Sequence, residues 1–311
     1  MRILITESEN FSKNAIALLQ KKFDVTILDL QTIDELGEII QDFDVLFVRL
    51  RFKLTAEILE KAKKLKYILT ATTGLDHIDT GFFENVGGKV ISLKGETAFL
   101  ETIPSTAEHT WALLLSLLKK IPSSFDDVKK GNWNRDNFKG NNLRHKKIGI
   151  LGLGRVGKQV ANFAKAFQMD ISYYDVLQID SEYKAVKTPK ELFEWAEIIS
   201  IHIPYSQGNK NFVDKSLLDC LKCNSVLINT SRGAIWNENY ICQLLKQNKI
   251  KGIATDVIQD EFDKKTILQN PLIKLVNENY NVIVTPHIAG ASFESMEMTE
   301  DFIVQKFLTN L

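Results

Sequence analysis

The sequence predicts an α/β protein made of two doubly wound, parallel-sheet domains with a cleft between them. Three observations predict it. A chain of 311 residues is long enough for about two domains at roughly 150 residues each. Short apolar runs alternate with helix-like patterns along most of the chain, as strand and crossover-helix units require. The alternation breaks once, at STAEHTWALLLSLLKKI (105–121), whose apolar residues cover most of a helix surface and mark a helix buried between domains or subunits.

Taken in order, the first series reads RILIT and NAIALLQKKF, VTILD and a polar helix, VLFVR and TAEILEKAKKL, then YILTATT. These runs place a first, flavodoxin-like domain at 1–102. The second series reads KIGILGLG and RVGKQVANFAKAF, ISYYD, PKELFEWA and IISIHIP, SLLDCLK and SVLINTS, NENYICQLLKQNK and IATDV, and VIVTPHI. Those are about six strands separated by helices, the content of a Rossmann domain at 103–288. The closing stretch SFESMEMTEDFIVQKFL is one amphipathic helix, too short to be a domain. It is expected to return to the first domain and complete it with 289–311.

Bulk composition excludes several classes. Apolar residues at 44% and charged residues at 25% match ordinary soluble globular proteins, against a disordered or membrane-embedded chain. Lysine plus arginine equals aspartate plus glutamate at 39 each, so the basic excess of a nucleic-acid binder is missing. No run reaches the roughly 18 apolar residues of a spanning helix, and MRILITESENF has neither the apolar stretch nor the cleavage site of a signal peptide. No membrane partner is expected, and the cytoplasm is the expected compartment. Of three cysteines, Cys220 and Cys223 form a lone C-x-x-C. A tetrahedral zinc site needs four ligands, so no metal is expected and the thiols read as small buried side chains.

GLGRVG at 152–157 follows the apolar run IGIL and opens the helix RVGKQVANFAKAF. In that context Gly152 makes the tight turn, Gly154 lets the backbone approach a pyrophosphate, and Gly157 lets helix and strand pack closely. The amides of Arg155 and Val156 fall at the helix N-terminus, where an anion is favoured. Asp175 ends the next apolar run, 18 residues past Gly157, near the roughly 20 expected for the acid that accepts ribose hydroxyls. Val176 and Leu177 follow it, where a cation for an extra phosphate would stand. NAD is therefore expected rather than NADP.

The run VLINTSRGAI (226–235) ends a buried strand on an arginine. Arg232 is one of several polar residues just past apolar strands, with His202 after IISI, Asp256 after IAT and His287 after VIVTP. In a parallel sheet those ends gather on the edge that carries the glycine loop, and Glu261 lies five residues beyond Asp256. His202 could be a packed histidine and Asp256 a turn cap. Hydride transfer at an alcohol carbon needs a base for the hydroxyl proton, and histidine suits it. A neighbouring carboxylate favours the protonated ring, and an arginine can fork a substrate carboxylate.

These residues resemble the D-isomer-specific 2-hydroxyacid dehydrogenase family, through TTGLDHID (72–79), STAEH (105–109), GILGLGRVG (149–157), HIPYS (202–206), NTSRGAI (229–235), ATDVIQDE (254–261) and TPHIAG (285–290). The resemblance spans nearly the whole chain. It implies Arg232 as the residue that binds and polarises substrate, His287 as general acid/base and Glu261 as its partner. It implies that Thr73, Gly74 and Leu75 offer backbone amides to a substrate carboxylate. It places Thr106, Arg155, Val156 and Asp175 along the cofactor, with Pro204, Thr230, Asp256 and Gly290. His202 and Ser231 complete the expected cofactor set. It further implies a homodimer through the nucleotide domain, with Trp111, Trp133 and the apolar helix at the interface.

Three departures stand out. Phe262 follows Glu261 where the family has proline, and Ile258-Gln259 replaces a more usual Phe-Glu type pair. GETAFLETIPS differs from the common asparagine-rich form. Arg49 falls where the first domain would face substrate, with Arg51 two residues on; either could be a surface charge. The expected activity is reversible, NAD-dependent hydride transfer to a small 2-oxo acid. The alternatives are a formate dehydrogenase-like enzyme, for which a carboxylate partner such as Glu261 is unnecessary, and a non-catalytic NAD-binding corepressor or scaffold.

Overall fold

The computed structural model describes residues 1–262 and 264–311. The chain divides into two compact units, one of Met1–Ile103 with Ala291–Leu311 and one of Pro104–Gly290.

In the first unit five strands, β1 (Arg2–Ile5), β2 (Asp24–Ile27), β3 (Val45–Val48), β4 (Tyr67–Thr70) and β5 (Lys89–Ile91), form a sheet. They are all parallel in the order β2-β1-β3-β4-β5, the flavodoxin-like arrangement. Successive side chains point to opposite faces, so both must be apolar. Ile3, Ile5, Phe47 and Leu69 pack with Ala15, Leu19 and, from the C-terminal helix Phe293–Thr309, Ile303, Val304 and Phe307. Leu4, Leu46, Val48 and Ile68 pack on the other side with Leu36, Ile58 and Phe83. Burying each such large side chain contributes roughly 1.5–3 kcal/mol. β5 is not foreshadowed by an apolar run, because only Ile91 of its three residues is buried.

The second unit holds seven parallel strands: β6 (Lys147–Leu151), β7 (Asp170–Tyr174), β8 (Lys184–Ala185), β9 (Ile198–Ile201), β10 (Ser225–Asn229), β11 (Ile250–Thr255) and β12 (Val282–Val284). Their order is β12-β11-β10-β9-β6-β7-β8. The chain winds outward from β6 to β8, then returns to β9 on the other side of β6. The reversal makes the carboxyl ends of β6 and β9 a topological switch point, where open α/β sheets bind ligands. The two-residue edge strand β8 is fully exposed and carries no apolar signal in the sequence.

Two expectations are corrected here. Trp111 is core rather than interface. Its helix, Ser105–Leu118, is apolar over most of its surface because it packs both on the helix Arg155–Ala166 and on the sheet. The Trp111 indole donates to the Val160 carbonyl at 3.2 Å and stacks on Phe167 with ring centres 4.8 Å apart. The cysteines are not all buried either. Cys242 is, but Cys220 is half-buried and Cys223 exposed. Among the described residues, no helix is long and apolar enough to cross a membrane.

Candidate active site

The glycine turn follows β6. Gly152 has φ 93°, and a methyl group there would sit 2.9 Å from Ile203; glycine tolerates both. A methyl group on Gly157 would lie 2.1 Å from the Gly152 carbonyl oxygen, so the helix Arg155–Ala166 can start this close to the strand only without a side chain there. Gly154 differs, since a methyl group on it would meet nothing within 4 Å. The protein's own packing does not require a glycine at that position, whereas an approaching pyrophosphate would. Gly154 is also the residue before the helix, and no side chain caps the first turn. The N-terminus of a helix favours an anion.

Asp175 stands just past β7. Its carboxylate accepts the Leu153 amide at 2.8 Å and the Leu177 amide at 3.0 Å, which fixes it beside the glycine turn. Val176 and Leu177 are exposed and bring no cation to that spot. These groups fit a nicotinamide dinucleotide, with the pyrophosphate at the uncapped helix and a ribose at Asp175.

Arg232 owes its place to the end of β10. Asn229 is buried there; its side-chain oxygen accepts the Ser231 amide at 2.9 Å and the Ser231 hydroxyl at 2.8 Å, and its amide nitrogen donates to the Arg232 carbonyl at 2.9 Å. The asparagine thus closes the turn by bonding its own backbone. Thr230 holds a second side of the turn through a 2.8 Å hydroxyl contact with Thr110. Next comes Gly233, where a methyl group would lie 2.1 Å from the Ile258 carbonyl carbon and 2.4 Å from the Gln259 nitrogen. The arginine turn therefore rests directly on the loop that follows β11.

That loop begins at Asp256, which is buried. Its carboxylate accepts the Ile288 amide at 2.9 Å, the Ala289 amide at 2.7 Å and the Thr285 hydroxyl at 2.5 Å. His109 Nε2 lies 3.4 Å away and also meets the Thr285 hydroxyl at 2.9 Å. The turn Thr285–Ala289 is thus folded around one carboxylate. At its apex His287 takes φ 55°, a left-handed conformation that costs a non-glycine residue on the order of 1–3 kcal/mol. The hydrogen bonds to Asp256 offset that strain. Glu261, from the same loop, places Oε1 2.5 Å from His287 Nδ1. With Nδ1 held by the carboxylate, Nε2 is the ring nitrogen that can exchange a proton with a ligand.

Burial alone would raise the Asp256 carboxyl, but the hydrogen bonds from His109, Thr285, Ala289 and Ile288 outweigh it and hold the group below the usual aspartate range. A depressed folded pKa stabilises the fold above the unfolded value, and that contribution fades as the pH falls through the folded one. Asp256→Asn is therefore expected to lose about 1–3 kcal/mol at pH 7, with the gap to wild type narrowing below about pH 4. Urea denaturation across pH measures it; a constant gap would contradict the assignment.

The other expected residues fall as follows. His202, past β9, hydrogen bonds the Ser200 hydroxyl at 2.7 Å, and burial pushes its pKa down to about 3, so it stays neutral and is a poor proton donor. Thr106 lies in the first turn of the helix Ser105–Leu118 and Pro204 is exposed beyond His202. Gly290 follows the His287 turn, whose Ala289 carbonyl is held by the Ser105 hydroxyl at 2.7 Å. Thr73, Gly74 and Leu75 belong to the first unit, past β4, where the Thr72 hydroxyl donates to the Gly74 carbonyl at 2.9 Å. Arg49 also lies in the first unit and has partners of its own there. Its guanidinium reaches Glu300 at 2.5 Å and the Glu9 carbonyl at 2.9 Å, so substrate contact would compete with an ion pair. Arg51 is paired with Asp29 at 2.8 Å. Sequence reasoning did not single out His109, Asn229 or Thr285, although all three stand inside quoted motifs.

The model of the D-isomer specific 2-hydroxyacid dehydrogenase NAD-binding domain matches residues 111–289. D-3-phosphoglycerate dehydrogenase of Methanocaldococcus jannaschii is 34% identical over 310 residues, 98% of this chain and 56% of that protein; the chain spans little more than half of that relative. Hydroxypyruvate reductase of Thermotoga maritima is 31% identical over 316 residues, covering 100% of this chain and 99% of that protein. Among solved structures, D-lactate dehydrogenase from Aquifex aeolicus complexed with NAD and lactic acid superposes with a TM-score of 0.82 at 27% identity, covering 99% of this chain and 95% of that one. The matched domain, the Thermotoga maritima relative aligned over 99% of its length and the shared fold point the same way: this chain belongs to the D-isomer specific 2-hydroxyacid dehydrogenase family.

Proposed function

We propose that the protein catalyses reversible hydride transfer between NAD(H) and a small 2-oxo or 2-hydroxy acid of the D series. The observation that carries this reading is the His287–Glu261 contact at 2.5 Å, on a loop that also supports the Arg232 turn. In reduction, bound NADH supplies the hydride that C2 accepts. Arg232 forks the substrate carboxylate and draws electron density toward the carbonyl oxygen. His287 gives its Nε2 proton to that oxygen as the C–O double bond becomes an alcohol, and Glu261 holds the ring in place through Nδ1. Thr73, Gly74 and Leu75, in the first unit, are proposed to offer backbone amides to a carboxylate ligand. Oxidation runs the same steps backward.

Glu261 favours this reaction over formate oxidation, because formate carries no hydroxyl proton for a histidine–carboxylate pair to remove. The relatives' names set the assay panel. NADH consumption is expected with hydroxypyruvate, 3-phosphohydroxypyruvate, glyoxylate or pyruvate, and no NAD reduction with formate. Formate turnover without 2-oxo acid turnover would reverse the assignment, and no turnover on either would favour a binding protein.

The carboxylate of Asp175 would sit against the extra phosphate of NADP, and like charges so placed cost several kcal/mol. Roughly a hundredfold preference for NADH over NADPH in kcat/KM follows, narrowing in Asp175→Ser. Equal use of both cofactors would remove the NAD assignment.

The homodimer is proposed to form through the second unit. The helix Ile121–Lys129 buries none of its residues within one chain. Ile121, Phe125 and Val128 are 53%, 60% and 48% exposed at i, i+4 and i+7, one apolar stripe, and Trp133 is exposed nearby in sequence. A second copy covering this stripe is the occupant proposed. Sedimentation should give a dimer for wild type and a monomer for Phe125→Glu; a wild-type monomer would exclude it.

A further inference from the structure

Glu238 is a buried carboxylate to which the proposed reaction gives no task. It opens the helix Glu238–Lys246, six residues after Arg232, and its Oε1 accepts the Gln259 amide at 2.8 Å. Its Oε2 accepts the side-chain amide of Asn270 at 2.6 Å. The same Gln259 returns a hydrogen bond from its side chain to the Trp236 carbonyl at 3.2 Å. The Ile258–Gln259 peptide is thus gripped from two sides, by Gly233 at van der Waals limits and by Glu238. Two residues further on stands Glu261.

We propose that Glu238 is a positioning residue that locks the Glu261 loop to the Arg232 turn, so that the carboxylate facing His287 and the arginine that faces substrate keep one fixed relation. The proposal rests on the assignment of His287 and Glu261 as the acid/base pair.

The partners of Glu238 suit an anion: burial pushes its carboxyl up to about 7, and the bonds from Gln259 and Asn270 pull the other way. Both of its oxygens accept from N–H donors, and a carboxylate offers two acceptors where an amide offers one and presents an N–H at the other. Asn270 cannot compensate by turning its amide over, because its oxygen already accepts the Leu272 amide at 2.9 Å at the start of the helix Pro271–Asn277. Glu238→Gln therefore sets two donors against each other and frees the loop without removing volume.

The test follows the His287 Nδ1 proton by NMR, with the His287→Asn spectrum assigning its signal among five histidines. A proton held between Nδ1 and the Glu261 carboxylate is kept from exchange with water. Glu261→Ala should abolish that signal, and Glu238→Gln should broaden it by loosening the loop. If Glu238 acts through Glu261, the double variant matches Glu261→Ala in both the spectrum and kcat. In turnover with a 2-oxo acid, Glu238→Gln should lower kcat about three- to tenfold, with NADH binding unchanged. A Glu238→Gln signal as sharp as wild type, or kcat losses that multiply in the double variant, would overturn the proposal. Glu238→Asp, too short to reach both donors, serves as a second variant should Glu238→Gln fold poorly; it should broaden the same signal, and a sharp one would overturn the proposal. The spectrum needs no turnover, so an inactive wild type would refute the function proposed above without touching this result.

Discussion

His287→Asn is expected to lower the rate of 2-oxo acid reduction by about 100- to 10,000-fold, the range for a positioned general acid, while NADH binds as before. The reasoning is geometric. The glycine turn and Asp175 lie past β6 and β7, whereas His287 lies past β12, so the pyrophosphate and ribose contacts proposed for them do not use the imidazole. Asparagine is a better replacement than alanine because residue 287 sits at φ 55°, where asparagine is tolerated and alanine adds strain. The Asp256 carboxylate continues to hold the Ile288 and Ala289 amides, so the turn keeps its shape and the loss reports on the proton alone. Steady-state kinetics with fluorescence titration of NADH checks both halves. A variant that keeps more than a tenth of wild-type kcat would remove His287 from the reaction.

Arg232→Lys is the second large effect. The charge is kept, but the planar fork that can grip a carboxylate through two parallel hydrogen bonds is lost. Breaking one side of a desolvated charge pair costs about 2–5 kcal/mol, so kcat/KM should fall by roughly 30- to several thousandfold. Arg232→Ala should fall further. Asn229 should keep the backbone turn, since it reaches the carbonyl and not the guanidinium of Arg232, although the guanidinium's own bond to the Ser231 carbonyl at 2.8 Å is lost in Arg232→Ala. If the turn instead fails, Tm will fall with activity; unchanged Tm with lost kcat/KM is the expected pattern. Substrates lacking a carboxylate, which gain nothing from the fork, should be poor for wild type and no poorer for the variant.

The large features of fold and site were legible because they rest on local patterning. VLI, II and IGIL are apolar runs, as strands covered on both faces favour, and Asn229, His202 and the glycine turn at Gly152 mark where three of those strands end. The parallel sheet then gathers those ends, so Arg232, Asp256 and His287 could be named without coordinates. What was not legible depends on partners far away in the chain. His109 meets Thr285 across 176 residues, and Arg49 meets Glu300 across 251, so neither pairing has a local signature. Trp111 read as interface because an all-round apolar helix has the same pattern whether a second chain or its own domain covers it. β8 could not be foreseen from two exposed residues. Glu238 looked like an ordinary acidic residue in a helix's first turn, where such charges are favoured; only the buried contacts with Gln259 and Asn270 separate it from that background.

Reduction of NAD by paired enantiomers of one 2-hydroxy acid tests the central claim most directly, using lactate and glycerate in D and L forms with formate alongside. The account predicts NADH formation from at least one D enantiomer, none from its L partner or from formate, and loss of the signal in His287→Asn. Turnover of an L enantiomer at a comparable rate, or of formate alone, would contradict it.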